Sequence, residues 1–231
     1  MAVNERYLVW DFDNTLAHRP GHWSQCLADL ACEAQPKTVF HREQFVPHLR
    51  SGFPWHKPER GHPELAHPDA WWAHLAPVLE RALILGASME ASLARSIARQ
   101  VRLRYTAPEY WVVYPDVNSS LSALTRRGWR HLLLSNHVPE LPQLVKELGL
   151  DEHFDAVYTS ATLGFEKPHP LAFAAVNSAL PANGRAVMVG DSFVADYQGA
   201  LAAGFDAMLV RNTHPQCKYC FPDLLALLEY L

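Results

Sequence analysis

This sequence is short of cysteine, of charge and of long apolar runs, and each scarcity narrows what the chain can be. Four cysteines in 231 residues (Cys26, Cys32, Cys217 and Cys220) are too few for a disulfide framework. They are expected to be buried or incidental thiols. Charged residues make up 19% of the chain, and the formal net charge is -4 at pH 7. No clustered Lys and Arg supply the electrostatic footprint of a nucleic-acid binder. No apolar stretch reaches the length that spans a bilayer. Residues 1–6 lack the basic start and long apolar centre of a secretory signal. These absences lead to the expectation of a cytoplasmic protein, a monomer or homodimer, with no nucleic-acid or membrane partner. Internal repeats and low-complexity segments are also missing. What is present is 49% hydrophobic residues, ample for a globular core, since a chain of this size removes roughly 70% of its unfolded surface from water.

One stretch stands out. Residues 7–16, YLVWDFDNTL, begin as a buried strand and end in two aspartates one residue apart. Alternation along a strand puts Asp11 and Asp13 on one side of the chain. Two carboxylates about 4 Å apart repel by about 4 kcal/mol at an effective dielectric near 20. Such a pair needs a cation, a shared proton or a reaction to justify it.

Beyond it the pattern changes. Residues 18–77 hold eight of the thirteen histidines and many Pro and Trp. Helices are predicted over residues 23–33, 40–49, 68–85 and 89–105, the third with an Asp69 start signal and the last two separated by Gly86. Pro and Gly between residues 52 and 68 read as an irregular connection. Trp71 and Trp72 point about 100° apart on a helix, so at least one belongs to the core. No convincing strand is visible between residues 18 and 106.

From residue 112 onward, strand and helix alternate. Strands are predicted over residues 112–115, 131–136, 154–158, 186–191 and 207–210. Helices are predicted over residues 117–127, where Asp116 can cap, and over 139–148, 170–180, 193–203 and 222–231. Continuously apolar strands alternating with helices indicate a parallel sheet covered on both faces. The opening strand must join that sheet, because an all-helical stretch offers it no partner. The expected architecture is therefore α/β: a core from residues 1–16 and 109–231, with residues 17–108 inserted as a helical domain.

In open parallel sheets, ligands bind at the carboxyl ends of the strands. Those ends carry Asp11 and Asp13, then Ser135 and Asn136, then Asp191, with Lys167 in a loop between. Taken singly, each has an ordinary reading: a turn, a helix cap, a solvated lysine. Together they can hold a divalent cation and a phosphate.

In four places, in order, the chain resembles the haloacid dehalogenase-like hydrolase superfamily, in the branch with a helical cap after the first motif. They are Asp11-Phe12-Asp13-Asn14-Thr15, Leu132-Leu133-Leu134-Ser135-Asn136, Glu166-Lys167-Pro168, and Gly190-Asp191-Ser192 with Asp196. The resemblance implies a Rossmann-like three-layer core and a Mg²⁺-dependent phosphatase acting on a small phosphorylated metabolite. Asp11 would be the nucleophile and Asp13 the general acid and base. Asp11, the Asp13 backbone carbonyl and Asp191 would bind Mg²⁺. Ser135 and the backbone after it, at Asn136, together with Lys167, would bind phosphate, and Asp196 would support Lys167 or metal-bound water. An acid at position 13 favours phosphoester hydrolysis over removal of halide from carbon, which has no leaving oxygen to protonate. Asn14 departs from the glycine common there but tolerates left-handed backbone angles. His18, His22 and Trp23, where the chain enters the cap, are expected to line the mouth of the site. The rivals are phosphotransfer, dehalogenation, a non-catalytic phospho-ligand binder, and a response-regulator-type phospho-acceptor. The last would have neither the Asp11–Asp13 pair nor a cap. The Cys217-x-x-Cys220 spacing is compatible with metal, but zinc needs four ligands and only His214 is near.

Overall fold

The computed structural model describes residues 5–181 and 184–231; the reading of residues 1–4 as free of a targeting signal lies outside the described residues. In chain order the elements are β1 (Arg6–Trp10), β2 (Ala17–His18), α1 (His22–Ala34), α2 (Pro68–Ala87), α3 (Ala91–Ala98), α4 (Val101–Thr106), β3 (Val112–Val113), α5 (Val117–Arg126), β4 (Trp129–Ser135), α6 (Leu141–Glu147), β5 (Ala156–Thr159), α7 (Ser160–Leu163), α8 (Pro170–Asn177), β6 (Arg185–Gly190), α9 (Gly199–Ala202), β7 (Asp206–Val210), β8 (Cys220–Phe221) and α10 (Leu224–Tyr230). The main sheet is parallel, in the order β5-β4-β1-β6-β7-β8.

β1 lies at the centre, with Val9 level with Leu132 on one side and Met188 on the other. Its apolar run has no polar face because both faces are covered. Leu8 and Trp10 enter one buried cluster with Leu121, Leu124, Leu141 and Leu227. Tyr7 and Val9 enter a second with Phe173, Val176 and Ala200. The chain runs from β1 out to β4 on one side and later returns to β6 on the other. The carboxyl end of β1 is thus the switch point at which such sheets bind ligands.

Residues 22–106 are helical, as expected, with local differences that have physical causes. Residues 40–49 do not form one helix; two short 3₁₀ turns, Arg42–Gln44 and Val46–Leu49, take its place. Pro47 has no N–H to donate and crowds the preceding turn. The expected helix 89–105 is broken at Arg99–Gln100 into α3 and α4. Trp71 and Trp72 are both buried. Trp72 Nε1 donates to Glu140 just ahead of α6, which also pairs with Arg102 at 2.8 Å, so the helical segment is tied to the sheet side of the molecule. β2 and β3 form a two-residue antiparallel ribbon where the chain leaves and re-enters the helical segment. Two residues are too few for periodicity to reveal.

One other expectation is corrected. Asp116 makes no cap for α5. Its carboxylate instead accepts from Arg211 at 2.6 Å and from the Leu224 amide at 2.8 Å, fixing the far end of the chain. Cys217 and Cys220, both partly buried, are brought together by a turn, their Cα atoms 6.3 Å apart.

A buried polar contact in this core makes a testable point. Trp10 Nε1 donates to His131 Nδ1 at 3.0 Å, and His131 Nε2 meets the Thr125 hydroxyl at 3.1 Å. Nδ1 must therefore be the bare nitrogen, and protonation would set two donors face to face. Burial above all lowers the His131 pKa from 6.5 to about 4. Between those values the unfolded chain binds a proton that the folded chain refuses, so His131 takes stability away as pH falls. The full effect is about 3 kcal/mol. His131→Asn, whose Oδ1 can replace Nδ1 as acceptor, is expected to lose less stability than wild type between pH 7 and pH 4 in urea unfolding. Parallel losses in the two proteins would exclude His131 as the source.

Candidate active site

β1 ends at Trp10, and the Asp11 amide still donates to Val189 at 2.9 Å, so Asp11 is held at the strand end. The chain then turns sharply. Leu16 and Ala17 N–H groups return to the Phe12 carbonyl, and Asn14 sits at φ 56. The left-handed angle expected to be tolerable at Asn14 is the one it adopts. This turn brings Asp13 beside the end of β4 and the chain back into β2.

The partners of Asp11 come from the far half of the sequence. Its Oδ1 accepts from Ser135 Oγ at 2.8 Å and from Lys167 Nζ at 2.8 Å, and its Oδ2 from Thr15 Oγ1 at 3.4 Å. Lys167, 2% exposed, also pairs with Asp196 Oδ1 at 2.6 Å. Burial alone would lower the Lys167 pKa; Asp11 and Asp196 reverse this and raise it, keeping the ammonium charged. Asp196 lies on a π-helical turn, Phe193–Gln198, in place of the regular helix expected over residues 193–203. Its second oxygen accepts from the Ser192 amide at 2.9 Å. Any Cβ at position 190 would collide with the Asp196 carboxylate, so Gly190 is required by close approach.

Oxygens of Asp11, Asp191 and Asp196 lie within 4.8 Å of one another. Burial and then the Asp11 charge push the Asp191 pKa up to about 7. Burial, then Asp11 and Asp191, also raise Asp13 well above the usual carboxylate range, and Asp13 Oδ1 is buried without a partner. A crowded acidic set facing one lysine fits a divalent cation, which prefers carboxylate and carbonyl oxygens.

These groups open onto a cavity of about 320 Å³ lined by Asp11, Asp13, Ser135, Lys167, Asp191 and Asp196. Its remaining wall includes His22, Trp23, Trp55, Tyr105 and His137. Of the three residues expected at the mouth, His22 and Trp23 are there. His18 is not among the lining residues; its ring packs on Tyr114 with centroids 4.8 Å apart. The Asn136 side chain is engaged elsewhere: its amide bonds the Lys167 carbonyl at 2.8 Å and the Lys167 N–H at 2.7 Å. It orients the lysine loop.

His137 was not anticipated from sequence, although it directly follows Ser135 and Asn136 at the end of β4. It is 2% exposed, with Nε2 unpartnered and 3.9 Å from Asp13 Oδ2. Burial lowers its pKa to about 4, so the ring is neutral. The ends of β4 and β5 hold it: Thr159 Oγ1 donates to its carbonyl at 2.8 Å, and its N–H donates to Ser160 Oγ at 3.2 Å. Trp55 was hidden in an irregular stretch, and Tyr105 in an apolar helical stripe that read as core.

A parallel sheet whose switch point gathers an Asp-x-Asp pair, a serine, a buried lysine and further acids has the donors to hold a divalent cation beside an anionic group. Comparison with known proteins agrees. The family model for haloacid dehalogenase-like hydrolases matches residues 6–204, and the chain belongs to that family. It is 33% identical over 146 residues to haloacid dehalogenase-like hydrolase domain-containing protein 3 of Mus musculus, covering 63% of this chain and 57% of that one. It is 37% identical over 118 residues to a phosphoserine phosphatase of Thermus thermophilus, covering 48% and 46% of the two chains. The chain spans about three-fifths of the length of the first curated relatives it matches. In fold it is similar to a magnesium-bound hydrolase of this family from Bacillus subtilis, with TM-score 0.69, 18% identity and 98% coverage of each chain. Among the described residues, no helix is long and apolar enough to cross a membrane.

Proposed function

We propose that the protein is a Mg²⁺-dependent phosphatase that hydrolyses phosphate monoesters of small metabolites through an aspartyl-phosphate. The observation that carries this reading is the different surroundings of the two aspartates. Asp11 is held in place by hydrogen bonds from Ser135 and Thr15 and by the Lys167 ammonium at 2.8 Å. Asp13 is placed where burial and neighbouring charge favour its protonated form. A nucleophile and an acid are thereby distinguished by environment.

Asp11 attacks phosphorus as Asp13 gives its proton to the leaving oxygen. Asp13, now a base, takes a proton from the water that opens the acyl phosphate and frees Asp11. Lys167 and the backbone at Asn136 balance charge on the phosphoryl oxygens, with Ser135 able to turn its hydroxyl from Asp11 toward them. Asp11, Asp191 and the Asp13 carbonyl would hold Mg²⁺, which when bound neutralises carboxylate and phosphoryl charge. Asp196, committed to Lys167 and the Ser192 amide, acts by positioning. Residues 17–108 act as a cap over a core of residues 1–16 and 109–231, and a covered cavity favours small substrates over phosphoproteins. Cytoplasmic residence and a monomeric or homodimeric state complete the reading.

Phosphate release from a panel of monoesters tests it, with Asp11→Asn as blank. Chelator is expected to silence release and Mg²⁺ to restore it. Release unaffected by chelator would remove the metal from the mechanism. No release above the blank on any ester would favour a phospho-ligand-binding protein.

A further inference from the structure

The rest of the cavity wall carries its own chemistry. Its wall is aromatic. Trp23 stacks on Tyr105 with centroids 3.8 Å apart and planes 13° from parallel. Trp55 lies 6.1 Å from Trp23 and stacks on Phe53 at 4.7 Å. Trp23 and Trp55 are half-buried and line the cavity, while Phe53 and Tyr105 behind or beside them are buried. Rings fixed in this way offer flat contact area at small entropic cost.

Cationic groups are scarce there. Among the described lining residues Lys167 is the one Lys or Arg, and two carboxylates already occupy it. Arg19, the next candidate, lines a separate small cavity, with its guanidinium 5.3 Å from the Tyr105 ring and 4.8 Å from that of Tyr110. One polar group on the wall is His22. Gly21 and His22 sit at φ 69 and 46, and a non-glycine residue in this region is costly unless its surroundings require it. The strained turn delivers the imidazole to the cavity. Burial, then Arg19 and His18, lower its pKa, so it offers a hydrogen bond rather than a charge.

Resting on the phosphatase reading, we propose that this site selects phosphate esters whose alcohol is an uncharged flat ring, and rejects those whose alcohol bears a carboxylate. A ring can lie against Trp23 and Trp55 and take a hydrogen bond from His22. A carboxylate would lose water among aromatic faces, near Asp13 and Asp191, and the one lining ammonium, Lys167, is already shared by Asp11 and Asp196. The class differs from that of the phosphoserine phosphatase to which part of the chain is similar.

The test compares esters of primary alcohols, so that leaving-group chemistry is matched: benzyl phosphate and pyridoxine 5′-phosphate against phosphoglycolate, O-phosphoserine and glycerol 3-phosphate. For the ring esters, kcat/KM is expected to exceed that of the carboxylate esters by at least about tenfold. Trp55→Leu should lower ring-ester kcat/KM about tenfold, chiefly through KM, and change glycerol 3-phosphate less than about twofold. His22→Arg, which adds a cation to the wall, should raise the ratio of phosphoglycolate to benzyl phosphate turnover. Preference for phosphoglycolate or phosphoserine in the wild type would overturn the proposal, as would an equal loss on all esters in a folded Trp55→Leu protein. Either result, with release above the Asp11→Asn blank, leaves the phosphatase reading standing; release from none of the esters ends both.

Discussion

Asp11→Asn is expected to reduce phosphate release by at least about 10³-fold while leaving the protein folded. The amide is nearly isosteric, and its oxygen can still accept from Ser135 and Lys167, but it cannot attack phosphorus to form an acyl phosphate. The substitution also removes one of several crowded carboxylates, so urea stability should be equal to wild type or higher. Asp13→Asn, in contrast, keeps the nucleophile and removes the proton carrier; it should slow both formation and breakdown of the phosphoenzyme. Acid-quenched labelling would separate the two variants, with no labelled protein from Asp11→Asn. Turnover by Asp11→Asn within tenfold of wild type would remove Asp11 from the nucleophile role.

Lys167→Met should damage stability and activity together. Its ammonium lies between Asp11 at 2.8 Å and Asp196 at 2.6 Å, and all three side chains are buried. Removing one member of a buried charge cluster leaves the others uncompensated, at a cost of about 3–5 kcal/mol. In a chain of this length that corresponds to a Tm lower by roughly 10 °C in the presence of chelator. Activity should fall with it, because Asp11 and the phosphoryl group lose their shared counter-ion. Adding Asp196→Asn removes one stranded carboxylate and should recover part of the stability, with no recovery of turnover. If Lys167→Met alone keeps the wild-type Tm, the ammonium is not what balances these acids.

The sites of these variants differ in how far the sequence revealed them. Asp11, Asp13, Ser135, Lys167 and Asp191 could be named because each lies at or just beyond a strand end or in a short loop with its own motif. Strand ends in a parallel sheet converge by topology alone. His137, Trp55 and Tyr105 could not be placed on the cavity wall. A histidine after a strand, a tryptophan in a proline-rich stretch and a tyrosine in a helical stripe each have ordinary packing roles. Which surface they face depends on how the helical segment returns to the sheet. Asn136 was assigned to phosphate through its backbone; that its side chain clamps the lysine loop, 31 residues away, could not be read from the sequence. Asp116 was read as a local cap, but Arg211 and the Leu224 amide, 95 and 108 residues distant, compete for the same carboxylate and win.

Local pattern by itself determined the alternation of strand and helix, the central apolar run of β1 and the chemistry gathered at the strand ends. Those features follow from backbone geometry and the burial of apolar side chains, which act over a few residues. Only the tertiary structure decided that Lys167 bridges Asp11 and Asp196, that His137 stands beside Asp13, and that Trp23 and Trp55 line one cavity with the acids. Those are contacts between segments far apart in the chain, fixed by how elements pack, and no periodicity within a segment encodes them.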